Sequence, residues 1–307
     1  MRIIRHGRGT RDAALAVGSF DGVHRGHAAL VSRVVQEANR RGLDAAVVTF
    51  EPLPREFFSP GTAPARLSSL GERLCALADL GLDTAFVERF DARFAALTAE
   101  EFEHRLRDRY GARWILVGHD FRYGAKRAGD ATSLAAAGRR LGFEVEVLPP
   151  VADEGERISS TRVREALAHA DFATAERLLG RRYAITGRVV HGAKRGKKIG
   201  FPTANVRLAR PKAAVRGIFA VKCLGAATRG LEGVASLGIN PAVNVGGPAT
   251  LEAFLFDFDG DLYGRRLSIE FVQKLRDEAH FASLDELAAQ IARDCDRAKA
   301  ILRATGR

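Results

Sequence analysis

Ala13-Ala-Leu-Ala-Val-Gly-Ser-Phe-Asp-Gly-Val-His-Arg-Gly-His27 is the stretch that fixes the architecture of the first half of the chain. Its first five residues form an unbroken apolar run closed by Gly18, which reads as a strand buried on both faces. Residues 25–41 follow as a helix stopped by Gly42. In an open parallel sheet, ligands bind at the carboxyl ends of the strands. A helix N-terminus there presents free N–H groups and about half a positive charge, so it attracts phosphate. Gly18, Gly22 and Gly26 let a phosphate come close to the backbone. His24 and His27 are three residues apart, so one helical turn puts both on the same side. Two imidazoles there can hydrogen-bond phosphates as charge builds in a displacement at phosphorus. The plainer reading is a glycine-rich turn with two surface histidines. The strand–turn–helix setting favours the phosphate reading.

Outward from this stretch, strand and helix alternate. Ala45–Phe50, Thr84–Glu88, Trp114–Val117 and Phe143–Leu148 read as strands. Ser69-Leu-Gly-Glu72 and Thr98-Ala-Glu-Glu101 are capping boxes that open helices. This spacing predicts a parallel sheet covered by helices on both faces. The pattern leaves the order of the strands open.

The second half changes rhythm. Tyr183–Val190, Ile218–Cys223, Gly233–Leu237, Leu251–Phe256 and Leu267–Phe271 are short β-rich runs punctuated by Gly, Pro and Asn. They predict a small antiparallel barrel. A third capping box, Ser283-Leu-Asp-Glu286, opens a closing helix with Leu284, Leu287, Ile291 and Ala298 on one stripe. A helical pair (162–169 and 172–179) ends at Gly180, so two domains are expected, 1–182 and 183–307.

Composition agrees with two folded domains. The chain has 307 residues, 46% hydrophobic and 28% charged, which excludes a disordered chain or a fibre. No apolar run approaches membrane-spanning length, and the first residues lack the apolar core of a secretory signal. Cys75, Cys223 and Cys295 lie far apart without metal-ligand spacing, as expected of a cytoplasmic protein. The net charge of +11 is uneven: residues 1–184 contribute +3 and residues 185–307 contribute +8. From Arg188 to Arg229 there are eleven Lys and Arg and no acidic residue. That run is either a solvated basic face or a pocket for several phosphates.

Residues 18–27 resemble the nucleotidyltransferase signature G-x-F-D-G-x-H-x-G-H of bacterial bifunctional riboflavin kinase/FAD synthetases. Three more motifs of that family follow in order. Thr49-Phe-Glu-Pro-Leu-Pro54 resembles T-F-x-P-H-P, Val117-Gly-His-Asp-Phe-Arg-Tyr-Gly124 resembles G-x-D-F-x-F-G, and Ile158-Ser-Ser-Thr-Arg-Val-Arg164 resembles I-S-S-T-x-I-R. The resemblance implies a Rossmann-like nucleotidyltransferase domain whose nucleotide contacts are Gly18, Phe20, Asp21, Gly22, Gly26, Ser159, Ser160, Thr161 and Arg164. His24, His27 and Arg162 are the implied catalytic groups. Hydroxyls before a helix and guanidinium donors suit phosphate oxygens, although a simple N-cap needs only one hydroxyl. Asp120, Phe121 and Tyr123 are the implied flavin contacts. Leu53 stands where the family usually has His, and leucine cannot donate to a phosphate or flavin.

The second half has its own signature, His191-Gly-Ala-Lys-Arg-Gly-Lys-Lys-Ile-Gly-Phe-Pro-Thr-Ala-Asn205. A loop rich in Gly and Lys can wrap a triphosphate with N–H groups and ammonium groups. It is not a Walker A loop. Readers of single-stranded RNA interleave stacking aromatics, and residues 185–229 contain only Phe201 and Phe219. The run resembles the riboflavin kinase motif ending P-T-A-N. That resemblance implies ATP contacts at Gly192, Lys194, Gly196, Lys198, Gly200 and Pro202, with Mg²⁺ held by Thr203 and Asn205. Both are oxygen donors, which suit a hard cation. Leu251-Glu252 matches L-E-x-H, so Glu252 inherits the role of base on the riboflavin 5′-hydroxyl. Arg276 and Phe281 match R-x-E…F and are implied flavin contacts. Ala253-Phe254 and Asn240-Pro-Ala242 depart from the family pattern. Asp257, Asp259 and Asp261 read as turn residues.

The resemblance implies two ATP-dependent steps, riboflavin to FMN and FMN to FAD. The expected partners are small molecules, not nucleic acid or a membrane, and the expected state is a monomer or weak oligomer. Other readings of the same residues remain: transfer of a different nucleotide, one silent site, or an RNA-binding barrel with salt-steep affinity.

Overall fold

The computed structural model describes residues 1–192, 196, 199–210, 212–225, 230–238 and 249–305. The chain packs as two compact units. One holds residues 1–64 and 70–159; the other holds 65–69 and 160–307.

The first unit begins with β1 (Arg2–Ile4), β2 (Ala13–Val17), α1 (Arg25–Arg41) and β3 (Asp44–Glu51). Next come α2 (Pro54–Phe58), α3 (Leu70–Asp79), β4 (Thr84–Arg89), α4 (Ala92–Ala95), α5 (Ala99–Asp108) and β5 (Ala112–Gly118). A ribbon of β6 (Arg122–Tyr123) and β7 (Gly129–Asp130) leads to α6 (Ala131–Leu141) and β8 (Glu144–Leu148). A small hairpin, β9 (Ala152–Asp153) and β10 (Glu156–Arg157), ends the unit.

Six of these strands form one parallel sheet in the order β1-β4-β3-β2-β5-β8. The chain runs outward from β2 through β3 to β4, then returns to the other side of β2 with β5. The carboxyl end of β2 is therefore the point where strand order reverses, the usual ligand crevice of such sheets.

Period-two alternation gives the sheet two cores. Leu15, Val17, Ile115 and Val117 pack with Phe102, Leu106, Leu134 and Ala137 of α5 and α6. Ala14, Ala16, Trp114 and Leu116 pack with Val31, Val34, Leu74 and Leu77 of α1 and α3. Trp114 is buried, with the guanidinium groups of Arg33 and Arg41 over its ring at 5.8 and 5.9 Å. The Thr98 capping box forms as expected, Thr98 Oγ1 accepting from the Glu101 N–H and Glu101 from the Thr98 N–H. Helix α1 stops at Gly42, which takes φ of 67° and caps the helix in the left-handed region.

The second unit opens with α7 (Ser160–Ala168) and α8 (Phe172–Leu179). Its strands are β11 (Ala184–Val190), β12 (Ala204–Val206), β13 (Gly217–Gly225), β14 (Leu231–Gly238), β15 (Thr250–Leu255) and β16 (Arg266–Arg276). They close a barrel in the order β11-β12-β15-β14-β13-β16, every pair antiparallel. The last helix, α9 (Leu284–Thr305), lies across the outside of the barrel. Its Cys295, Ala298 and Leu302 pack on Ile218, Ala220, Val234 and Leu275.

Phe172 of α8 packs on Phe219 and Phe271 of the barrel, so α7 and α8 belong to the same compact unit as the barrel. Two features differ from the sequence expectations. Strands β1 and β12 are three residues long and carry no alternation of their own. The apolar stripe of α9 begins later than expected: Leu284 is exposed, and Cys295 and Leu302 complete the face.

Candidate functional sites

In the sheet unit, β2 runs into the turn Gly18–His24 and then into α1. The turn is tightly built. Gly18 N–H donates to Val48 O at 3.0 Å. Phe20, Gly22 and Val23 have φ of 50°, 81° and 42°. Only glycine takes such values without cost; a β-branched residue there is strained by about 1–3 kcal/mol. Burial of Phe20, Asp21, Val23 and His24 holds the conformation. The Phe20 ring lies beneath Gly18 and meets the His27 ring edge-on at 5.3 Å.

His24 is the N-cap of α1. Its Nδ1 accepts the His27 backbone N–H at 3.3 Å. An accepting Nδ1 places the proton of a neutral His24 on Nε2. The two rings stack at 3.7 Å and 16°, so the sequence expectation of two adjacent imidazoles is met. Burial, followed by the nearby His24, Arg73 and Arg157, holds the His27 pKa well below the usual imidazole range. His27 is therefore neutral at pH 7, and its buried Nδ1 has no hydrogen-bond partner among the described residues. The first turn of α1 has no acidic side chain, which suits an anion.

Arg73 was not foreseen. It lies on α3 and is 1% exposed. Nη1 donates to Ser19 O at 2.7 Å; Nη2 donates to Phe50 O at 3.0 Å and Glu51 Oε2 at 3.1 Å. The sequence held a signal: Arg73 interrupts the apolar stripe of Leu70, Leu74 and Leu77. A charge on such a stripe is costly unless it is paired.

The expected flavin contacts divide. Asp120 is exposed and accepts from Arg157 Nη1 at 2.9 Å, which holds its carboxyl below the usual range. Phe121 is half-buried and stacks on Tyr123 at 5.6 Å. Tyr123 is in the core, its hydroxyl donating to Glu103 at 2.7 Å. Its ring lies against Gly129, where a Cβ would collide with it. Tyr123 thus serves the packing of β6, β7 and α5. Leu53 is buried at the start of α2. Ser159 closes the sheet unit, while Ser160, Thr161, Arg162 and Arg164 open α7 of the other unit. There Arg164 Nε donates to Ala65 O at 2.6 Å.

In the barrel unit, register assembles the site. Glu252 of β15 is paired with Asn205 of β12 on one side and Ser236 of β14 on the other. Directly paired residues share a face. Ala253 and Leu251 are buried inside the barrel, so the Asn205–Glu252–Ser236 row faces outward and is half-buried. Thr203 joins it, Oγ1 donating to Glu252 Oε2 at 3.1 Å. Hydroxyl, amide and carboxylate oxygens on one face fit a hard divalent cation. Among the described residues no cluster of three His, Cys, Asp or Glu exists, so a magnesium ion here would draw on this mixed set and on phosphate.

The glycines ahead of the row are needed for close approach. A Cβ on Gly192 would lie 2.4 Å from the Asn205 side chain, and one on Gly196 would lie 2.2 Å from Phe201 O. Gly200 takes φ of 85° before Phe201 and Pro202. Lys194 and Lys198 lie outside the described residues, as do Asn240 and Ala242. Beside the row, Phe201, Phe254, Phe256, Asp257, Ala292, Cys295, Asp296 and Lys299 line a cavity of about 260 Å³. Sequence reasoning missed this cavity because its walls come from three distant segments.

Arg276 and Phe281 do meet, with the guanidinium 5.7 Å from the ring centre. The Arg276 fork, however, grips Asp294 of α9 at 2.7–3.1 Å. That pair ties β16 to α9. Asp261 accepts from Tyr263 N–H at 2.8 Å, in keeping with a turn.

Comparison with known proteins adds independent findings. Residues 7–162 match a family described as FAD synthetase, and residues 179–302 match one described as riboflavin kinase. The bifunctional riboflavin kinase/FMN adenylyltransferase of Escherichia coli strain K12 is 48% identical over 281 residues, covering 91% of this chain and 90% of that one. The protein of the same description from Pseudomonas fluorescens is 45% identical over 292 residues, covering 95% and 93%. A crystal structure described as a macrolide-efflux protein from Streptococcus pneumoniae superposes with a TM-score of 0.79 at 31% identity, covering 96% and 97%. In this chain no helix among the described residues is long and apolar enough to cross a membrane.

Proposed function

The chain belongs to the family of bifunctional riboflavin kinases/FMN adenylyltransferases, and from that membership we propose how its two units divide the work. The barrel unit transfers the γ-phosphoryl group of ATP to riboflavin, giving FMN and ADP. The sheet unit transfers the adenylyl group of a second ATP to FMN, giving FAD and pyrophosphate. The observation that carries this reading is the presence in one chain of two separately built sites: the stacked His24–His27 pair at the head of α1 and the Thr203–Asn205–Glu252 row on the barrel.

In the barrel, Glu252 accepts the proton of the riboflavin 5′-hydroxyl as its oxygen bonds to the γ-phosphorus and the bond to ADP breaks. Thr203 orients the carboxylate through its hydrogen bond. Thr203 and Asn205 are the residues that would hold Mg²⁺, which supplies neutralising charge beside the phosphates. The cavity walled by Phe201 and Phe254 continues the same outer face and receives the flat adenine of this ATP. Positioning and electrostatics carry most of the rate, as is usual for phosphoryl transfer.

In the sheet unit, an FMN phosphate oxygen attacks the α-phosphorus of ATP, and the bond to pyrophosphate breaks. The N-terminus of α1 and the imidazoles of His24 and His27 donate to the phosphates as charge grows. Gly18, Gly22 and Gly26 allow that approach. Asp120 and Phe121 remain the proposed flavin side. The phosphate roles of Ser159, Ser160, Thr161, Arg162 and Arg164 rest on the sequence motif alone. Neither step calls for a covalent enzyme intermediate. We place the enzyme in the cytoplasm on the strength of its three unpaired cysteines.

The test is chromatographic: pure protein with riboflavin and MgATP, with riboflavin, FMN and FAD resolved over time. FMN first and FAD later is the expected result. FMN without FAD would make the sheet unit silent. FAD only from supplied FMN would make the barrel silent. No flavin product under either condition would overturn the assignment.

A further inference from the structure

Arg73 is among the largest fully buried side chains in the protein. Its guanidinium reaches two structural elements at once: the turn that follows β2, through Ser19 O, and the end of β3, through Phe50 O and Glu51. Thr49 Oγ1 also donates to Ser19 O at 3.3 Å. The carbonyl that opens the strained turn is thereby committed to inward donors. A peptide carbonyl swung the other way would bring its negative end toward the anion-attracting head of α1.

We propose that Arg73 is a positioning residue for adenylyl transfer: by holding the Ser19 carbonyl inward, it fixes the Gly18–His24 turn so that the N-terminus of α1 and His27 are ready for phosphate. The proposal rests on the reading that the sheet unit transfers the adenylyl group. The same cation has a second effect. After burial itself, the groups that depress the His27 pKa are His24 at the head of α1, Arg73 on α3 and Arg157 on β10. Each opposes protonation of His27, and Arg73 does so from a buried position. It therefore holds the shape of the turn and adds, after burial and His24, to the forces that keep the imidazole unprotonated.

Three substitutions separate these effects. Arg73→Lys keeps the charge and a donor, Arg73→Gln keeps a donor without the charge, and Arg73→Met keeps neither. Riboflavin kinase activity of the same preparation serves as an internal control, because it belongs to the other unit. Arg73→Met is expected to lower kcat/KM for FMN adenylylation by ~100-fold, with kinase turnover within about twofold of wild type. Arg73→Lys is expected to stay within ~10-fold. In both Gln and Met variants, the acid limb of adenylylation and the NMR titration of the His27 ring move to higher pH; in Arg73→Lys they stay.

Wild-type adenylylation and an unmoved His27 titration in Arg73→Met would overturn the proposal. So would an Arg73→Lys variant as damaged as Arg73→Met, which would make Arg73 a packing residue. If Arg73→Met fails to fold, Arg73→Gln decides: a kcat/KM for FMN adenylylation equal to that of the wild type overturns it. Absence of FMN adenylylation in the wild type would strike the functional reading itself, before any variant is compared.

Discussion

Around the head of α1, Phe20, Asp21, Val23 and His24 are each buried to within a few per cent, whereas the Thr203–Glu252 row on the barrel is half open. The two regions prepare for the same kind of ligand with different parts of the polypeptide. In the sheet unit the backbone is the instrument. A strained turn aims N–H groups, and buried neighbours keep it in place. In the barrel the ladder is the instrument. Register brings short side chains from three strands into one row, with the backbone in ordinary extended conformation. Damage to the first should come through anchors and glycines at a distance from phosphate. Damage to the second should come from the side chains themselves.

The sharpest test of that contrast is Glu252→Gln. With Glu252 as the proposed base, its loss should reduce riboflavin phosphorylation by ~10²–10⁴-fold, while adenylylation of supplied FMN continues. Chromatography of both reactions reads the split, and equal loss of both activities would break the comparison. Its counterpart is His27→Asn, which should lower the adenylylation kcat by ~10²–10³-fold and leave the kinase intact. Thr203→Val should raise the Mg²⁺ concentration for half-maximal kinase activity on the order of tenfold, measured by titrating Mg²⁺ at fixed ATP.

Two smaller effects sharpen the picture of the sheet unit. Tyr123→Phe leaves buried Glu103 without that hydrogen bond, so it should cost about 1–3 kcal/mol of stability in denaturant titration, with FMN adenylylation unchanged. A large rise in the KM for FMN would instead make Tyr123 a flavin contact. The last effect is a pH dependence. An unfolded imidazole titrates near 6.5, and folded His27 titrates well below that. Between those values the unfolded chain binds the extra proton. The stability from burying neutral His27 is thus complete above about pH 6.5 and is lost as the pH falls toward the folded value. His27→Asn should flatten that part of the stability profile, and an unchanged slope would remove His27 as its source.

These regions also differ in how readable they were. The turn of the sheet unit is one continuous segment, so its glycines, its histidines and the flanking strand and helix could be read together. Caps such as Thr98–Glu101 were legible for the same reason. Strand order was not, because each strand of a sheet buried on both faces is an apolar run that does not name its neighbour. Arg73 escaped notice because two of its three partners are carbonyls, which leave no trace in side-chain identity, and the third, Glu51, lies 22 residues away. On the barrel, Thr203, Asn205 and Glu252 entered through a family resemblance. Ser236 did not, since only the closed ladder places it beside Glu252. Leu284 misled because apolar periodicity marks a face without saying where along a helix the contact begins. Tyr123 shows another limit: nothing in a motif tells that its aromatic is also packed into the core.

The chain has a single tryptophan, and it is Trp114, sealed between the sheet and α1 under Arg33 and Arg41. Intrinsic fluorescence excited at the red edge of protein absorption therefore reports on the sheet unit alone. The barrel has no such emitter. Followed together with far-ultraviolet dichroism, which registers both units, that emission separates the melting of one half from the melting of the whole. The intact chain carries a built-in optical label on the half that handles adenylyl transfer.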